Sequence, residues 1–104
     1  MTGGEWVGGG RSAPFYVMED GPQRPDIILW VDAPSGLIVG MHLDRPGLGP
    51  KDIAECLARA IERPQAQVLP PASIRVADTA TAAAVRARLG EETRVIVGPT
   101  PEVD

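Results

Sequence analysis

The sequence predicts an α/β domain in which a small mixed sheet is flanked by two helices, and three observations support this. An apolar run, Ile27 to Val31, is followed by a turn and a second extended run, the pattern of a β-hairpin. Beyond it, two stretches of helical periodicity alternate with two short apolar strands, giving the order hairpin, helix, strand, helix, strand. The chain has 104 residues, 43% of them apolar and only four aromatic, so it supports one core built mainly from Ile, Val and Leu.

Residues 1–13 carry Gly3, Gly4, Gly8, Gly9 and Gly10 and read as a flexible glycine-rich tail, whose backbone entropy no local contact offsets. Trp6 stands apart in that tail, either docking on the domain or meeting a partner, with docking favoured. The domain proper is expected over 14–98. Pro14 to Met18 form a short edge strand, and Glu19 to Pro25 form a loop. Ile27 to Val31 are apolar on both faces, as befits the middle strand of a covered sheet. Asp32 ends that strand, and Ala33, Pro34, Ser35 and Gly36 supply the chemistry of a tight turn. Leu37 to Leu43 return, with Gly40 marking a bulge or a close approach.

Pro50 to Arg63 open with proline at a first-turn position and repeat Ile53, Leu57 and Ile61 at spacing four, an amphipathic helix stopped by Pro64. An extended segment, 64–72, reaches about 30 Å and brings the chain back to a strand at Ser73 to Val76. Asp78 caps a helix from Thr79 to Leu89, which packs Ala82, Val85 and Leu89 and stops at Gly90. Arg94 to Val97 form the last strand, and 99–104 a tail. The expected sheet puts Ile27 to Val31 in the middle, its hairpin partner on one side and the two later strands on the other.

A net charge of −4, with the basic residues scattered singly, argues against a nucleic-acid partner. No apolar run reaches the roughly 20 residues that span a bilayer, and no leader pattern opens the chain, so no membrane is expected and the cytoplasm is the expected compartment. Cys56 is the only cysteine, which excludes an internal disulfide and a Cys/His zinc pattern; its helical neighbours make it a small buried residue. His42 is the only histidine and lacks triad partners. The glycines at 8, 9 and 10 precede no Lys-Ser/Thr pair and are not a phosphate loop. Arg59, Arg63, Arg86 and Arg88 fall on polar helix faces.

In the expected sheet, Asp32 and Asp78 end neighbouring parallel strands and emerge at one edge, the minimum for holding a divalent metal. Strand with Asp32, hairpin through Gly36, helix, strand with Asp78, helix and strand together resemble an abbreviated ribonuclease H-like core of the integrase and transposase type. That resemblance implies catalytic acids at the same two positions, with Mg or Mn between them, and a metal-dependent phosphoryl-transfer (nuclease-like) enzyme as the alternative function. For each aspartate a simpler role also exists: Asp32 as a turn acceptor and Asp78 as a helix cap. Residues Leu29 to Asp32, Gly36 to Ile38 and Pro70 to Asp78 also resemble an uncharacterised bacterial domain without an established activity. The expectation is therefore a non-catalytic protein-interaction or regulatory module without a cofactor, acting through a sheet edge or the region of Trp6. Its partner would be a protein or a second copy, since so small a sheet leaves edges that a homodimer would cover.

Overall fold

The computed structural model describes residues 3–18, 20–63 and 68–103. Residues 64–67 of the extended segment, like Asp104, lie outside the described residues. Strands β1 (Glu5–Ser12), β2 (Val17–Met18), β3 (Pro22–Gln23), β4 (Asp26–Asp32) and β5 (Leu37–Asp44) precede helix α1 (Pro50–Glu62). Strand β6 (Ser73–Val76), helix α2 (Thr79–Leu89) and strand β7 (Val95–Val97) complete the chain. The main sheet is mixed, in the order β5-β4-β1-β6-β7, while β2 and β3 form a separate two-stranded ribbon.

The hairpin, both helices and the two later strands lie where the sequence expectation puts them in the chain, but the glycine-rich N-terminal segment does not match it, and Val17–Met18, expected as an edge strand before a loop, pair instead with Pro22–Gln23. Residues Glu5–Ser12 are the central strand, antiparallel to β4 and parallel to β6. Glycine weakens a strand because it has no side chain to pack; here neighbours fill the space on both faces. On the helix-facing side, a Cβ at Gly8 would lie 2.3 Å from Cδ2 of Trp30, its cross-strand partner, so the indole lies flat over bare backbone. On the opposite side, a Cβ at Gly9 would lie 3.2 Å from Val103. The order places β1, not Ile27 to Val31, between the two halves of the sheet. The added strand also reverses the direction expected for β6, which runs against Ile27 to Val31 and not along them. Strand β5 runs the same way as β1, α1 returns, and β6 sets off again alongside β1, so 64–72 need not carry the chain back across the sheet.

Both helices cover one face. Ile53, Ala54, Cys56, Leu57 and Ala60 of α1 join Ala82 and Val85 of α2 over Trp6, Ile28, Trp30, Ile74 and Val76. Helix α1 starts where the Asp52 carboxylate accepts the Gly49 N–H at 2.9 Å, and α2 where Asp78 accepts the Thr81 N–H at 2.8 Å. The Trp30 indole N–H donates to the Ile53 carbonyl at 3.0 Å, tying α1 to the sheet. Gly40 brings β5 against α1, its missing Cβ 3.2 Å from Ala60, and the register shifts beside it so that Val39 is left unpaired with β4. Both outcomes expected of Gly40 thus occur within two residues.

The opposite sheet face is covered on one half only. Over β1 and β6 the C-terminal turn lies down, with Thr100 and Val103 buried; the expected free tail at 99–104 is thus docked as far as it is described. Over β4 and β5 the face is open.

Gly8→Ala is expected to lower the unfolding free energy by about 3 kcal/mol, because the new methyl and the Trp30 ring cannot share the site. Gly10→Ala, whose Cβ would meet its nearest neighbour at 3.5 Å, is expected to change it by less than about 1 kcal/mol. Urea denaturation of the two variants measures both.

Candidate functional site

The two aspartates expected to share an edge lie at opposite ends of the sheet. Asp32 ends β4 and pairs with Trp6 at the start of β1, next to Ile74 near the start of β6. Asp78 follows the far end of β6. The reversal introduced by β1 separates them, since β4 runs against β6. Each makes the local bonds its position requires. The buried Asp32 carboxylate accepts the Ser35 hydroxyl at 2.5 Å and the Ser35 N–H at 3.2 Å, while its carbonyl accepts the Gly36 N–H at 2.7 Å, with Gly36 at φ 76°. Asp78 accepts the first-turn N–H of Thr81. Trp6, the candidate partner contact, is 2% exposed and belongs to the core, its indole N–H without a partner among the described residues.

At the end where Asp78 emerges, the neighbouring residues of β1 are Gly10, Arg11 and Ser12, and Asp26 of β4 stands beyond them. The Asp26 carboxylate accepts the N–H groups of Gly47 and Leu48. These carboxylates are therefore committed to backbone donors, and no group of three metal-ligating side chains occurs among the described residues.

A different feature stands out at the other side of the sheet. Strand β5 is an edge, eight residues long, without proline or lysine. Its open face presents Ile38, Met41 and Leu43, with Met41 64% exposed. On its helix-facing side, Gly40 and His42 border a cavity of about 190 Å³ with Cys56, Arg59 and Arg63 of α1 and the residue after it. Burial pushes the Cys56 thiol up, against the pull of Arg59, so the sulfur is a packed apolar atom. The Asp44 carboxylate is held below its ordinary value, first by the Arg45 N–H and then by His42, whose Nε2 lies 3.4 Å away. Periodicity assigned Arg59 and Arg63 to a solvated helix face; that they border the edge strand of the sheet depended on the sheet order.

The C-terminal turn is held by Arg75, which reaches across from β6. Its guanidinium meets Glu5 at 2.9 Å and Glu102 at 2.5 Å and donates to the Pro99 carbonyl. The Glu102 carboxyl is held below its ordinary value, by its own backbone N–H first and by the Arg75 guanidinium after partial burial has acted the other way. A depressed carboxyl contributes stability above its ordinary pKa and loses it as pH falls through the folded value. The Val103 methyl signals in NMR spectra are therefore expected to shift toward random-coil positions as the pH falls below the ordinary carboxyl range, and to lie there already at neutral pH in Arg75→Met. An unchanged Val103 in that variant means the turn is held by packing alone.

No described helix is long and apolar enough to cross a membrane. A search of curated proteins finds none that matches the chain. The family comparison does find a match, and its span takes in the glycine-rich first strand together with both helices: residues 2–95 fit the family described as a domain of unknown function, DUF6930, and the chain belongs to that family.

Proposed function

We propose that the chain is a non-catalytic protein-interaction module, working in the cytoplasm without a cofactor, that takes up an extended protein segment along the free edge of β5. The observation that carries this reading is the state of that edge. Natural edge strands are blunted by lysine, proline, bulges, inward charge, a covering element or shortness; β5 has one bulge, at Val39, and an inward-facing Asp44, but keeps five residues beyond the bulge, Gly40 to Asp44, with neither lysine nor proline. An added strand gains main-chain hydrogen bonds from the edge and apolar contacts from alternate side chains, the mode known as β-strand addition. Ile38, Met41 and Leu43 offer those contacts on the open face. The opposite edge, β7, has three residues.

The fold we assign is ribonuclease H-like. Its support is the pattern of three antiparallel strands, β5, β4 and β1, continued by the parallel strands β6 and β7, with helices after β5 and β6. On this assignment the first acidic position of such a core falls on β1 near Asp78, where this chain carries Gly10, Arg11 and Ser12. That favours a module that has kept the scaffold without the acids.

Two measurements test the reading. Lysate proteins retained by the immobilised wild-type domain are expected to be lost from a Met41→Lys/Leu43→Lys variant of unchanged far-UV circular dichroism. Equal retention by both overturns it. Phosphodiester hydrolysis dependent on Mg²⁺ or Mn²⁺ and abolished in Asp32→Asn overturns it as well.

A further inference from the structure

We infer that the segment added to β5 is β5 of a second copy, running antiparallel, with His42 on the two-fold axis. This rests on the interaction reading above and names its partner.

Main-chain geometry fixes the register. Ala33 donates to the Glu5 carbonyl and Ala13 to the Pro25 carbonyl, so the odd-numbered residues around β4 direct their main-chain groups toward β1. Alternation then directs those of Asp26, Ile28 and Trp30 toward β5, where their partners are Asp44, His42 and Gly40. What remains on the outer side of β5 above the bulge is the N–H and C=O of Met41 and of Leu43. In a symmetric antiparallel pair with His42 facing His42 these two residues bond to each other reciprocally, Met41 to Leu43 and Leu43 to Met41; centring the pair on Met41 would set Leu43 opposite the bulge at Val39, and centring it on Leu43 would set Met41 opposite Arg45, beyond the end of β5. The contact is self-complementary, as a two-fold interface must be.

The same register matches charge. It sets Asp44 of one copy opposite Gly40 of the other, beside the cavity bordered by Arg59 and Arg63. No ion pair joins either arginine to a described carboxylate, whereas Arg75 and Arg88 are both paired. Asp44 has a side chain 55% exposed, and Gly40 leaves room for it to approach. Each copy thus brings a carboxylate to two guanidiniums that no described carboxylate of their own chain pairs with, twice by symmetry. On the open face, Met41 lies against Leu43 of the second copy, covering two of the most exposed apolar side chains. The contact is one strand wide, narrower than a standard stable interface, so a reversible, concentration-dependent dimer is expected.

Sedimentation velocity from about 1 to 500 µM is expected to show a shift from 11.0 kDa toward twice that mass. Asp44→Arg and, separately, Arg59→Glu/Arg63→Glu are expected to weaken association at least tenfold, and the three changes combined to restore it. His42→Cys in a Cys56→Ala background is expected to form an intermolecular disulfide under mild oxidation, because facing non-hydrogen-bonded residues have Cα atoms about 4.5 Å apart; Ile38→Cys, off the axis, is expected to cross-link far less. A wild-type monomer throughout, a dimer indifferent to the charge changes, or equal cross-linking at both positions overturns the inference. If the wild type is monomeric while lysate retention still depends on Met41 and Leu43, the interaction reading stands and the second copy falls. If retention is indifferent too, both fall.

Discussion

The contact between Gly8 and Trp30 decides the arrangement of everything else. Trp30 is the largest fully buried side chain, and it lies over the strand at the centre of the sheet. Any side chain at position 8 would hold the indole off the sheet and with it the first turns of α1, to which the indole N–H is bonded. Loss of a buried tryptophan side chain costs about 3–5 kcal/mol in cores generally, a large fraction of the stability of a domain this size. The glycine at position 8 is therefore a receptor for a ring, and the strand it weakens locally is secured by the packing it permits.

Placing that strand at the centre determines which side chains can meet. One extra strand between β4 and β6 makes β6, and the elements after it, run opposite to the direction they would take beside β4. The carboxylates of Asp32 and Asp78 are thereby sent to opposite ends, and Asp78 comes instead toward Arg11, Ser12 and Asp26. It also makes β5 an outer strand with α1 leaning over its inner side, which brings Arg59 and Arg63 to the border of unpaired main chain. The features on which function is proposed thus follow from topology more than from any motif.

Much of the fold was legible in the sequence, and the remainder was hidden for a definable reason. The hairpin turn at Asp32 to Gly36, α1 opened by Pro50, β6 and α2 with its Asp78 cap all lie where local periodicity and capping chemistry put them. These signals come from residues close together in the chain. The first strand has no such signal. Its glycines carry neither alternation nor β-propensity, and what orders them is contributed by Trp30 on one face and Val103 on the other. The roles of Asp32 and Asp78 as turn acceptor and cap were readable one by one; their separation was not, because it depended on the strand that glycine concealed. Trp6 gave the one hint that its segment docks, and the same burial removes it as a contact for a partner.

The central position of β1 also bears on how the molecule assembles in time. Glu5 to Val7 leave the ribosome well ahead of Ser73 to Arg75, one of their two pairing partners. The β4–β5 hairpin and α1 can organise from near neighbours, and β1 can join β4 early, but the join between the two halves of the sheet waits for a distant stretch of chain. Long-range pairing of this kind slows folding. During that delay the glycine strand presents an unpaired edge at the heart of the future sheet, and a strand synthesised ahead of both its partners is among the last to be completed.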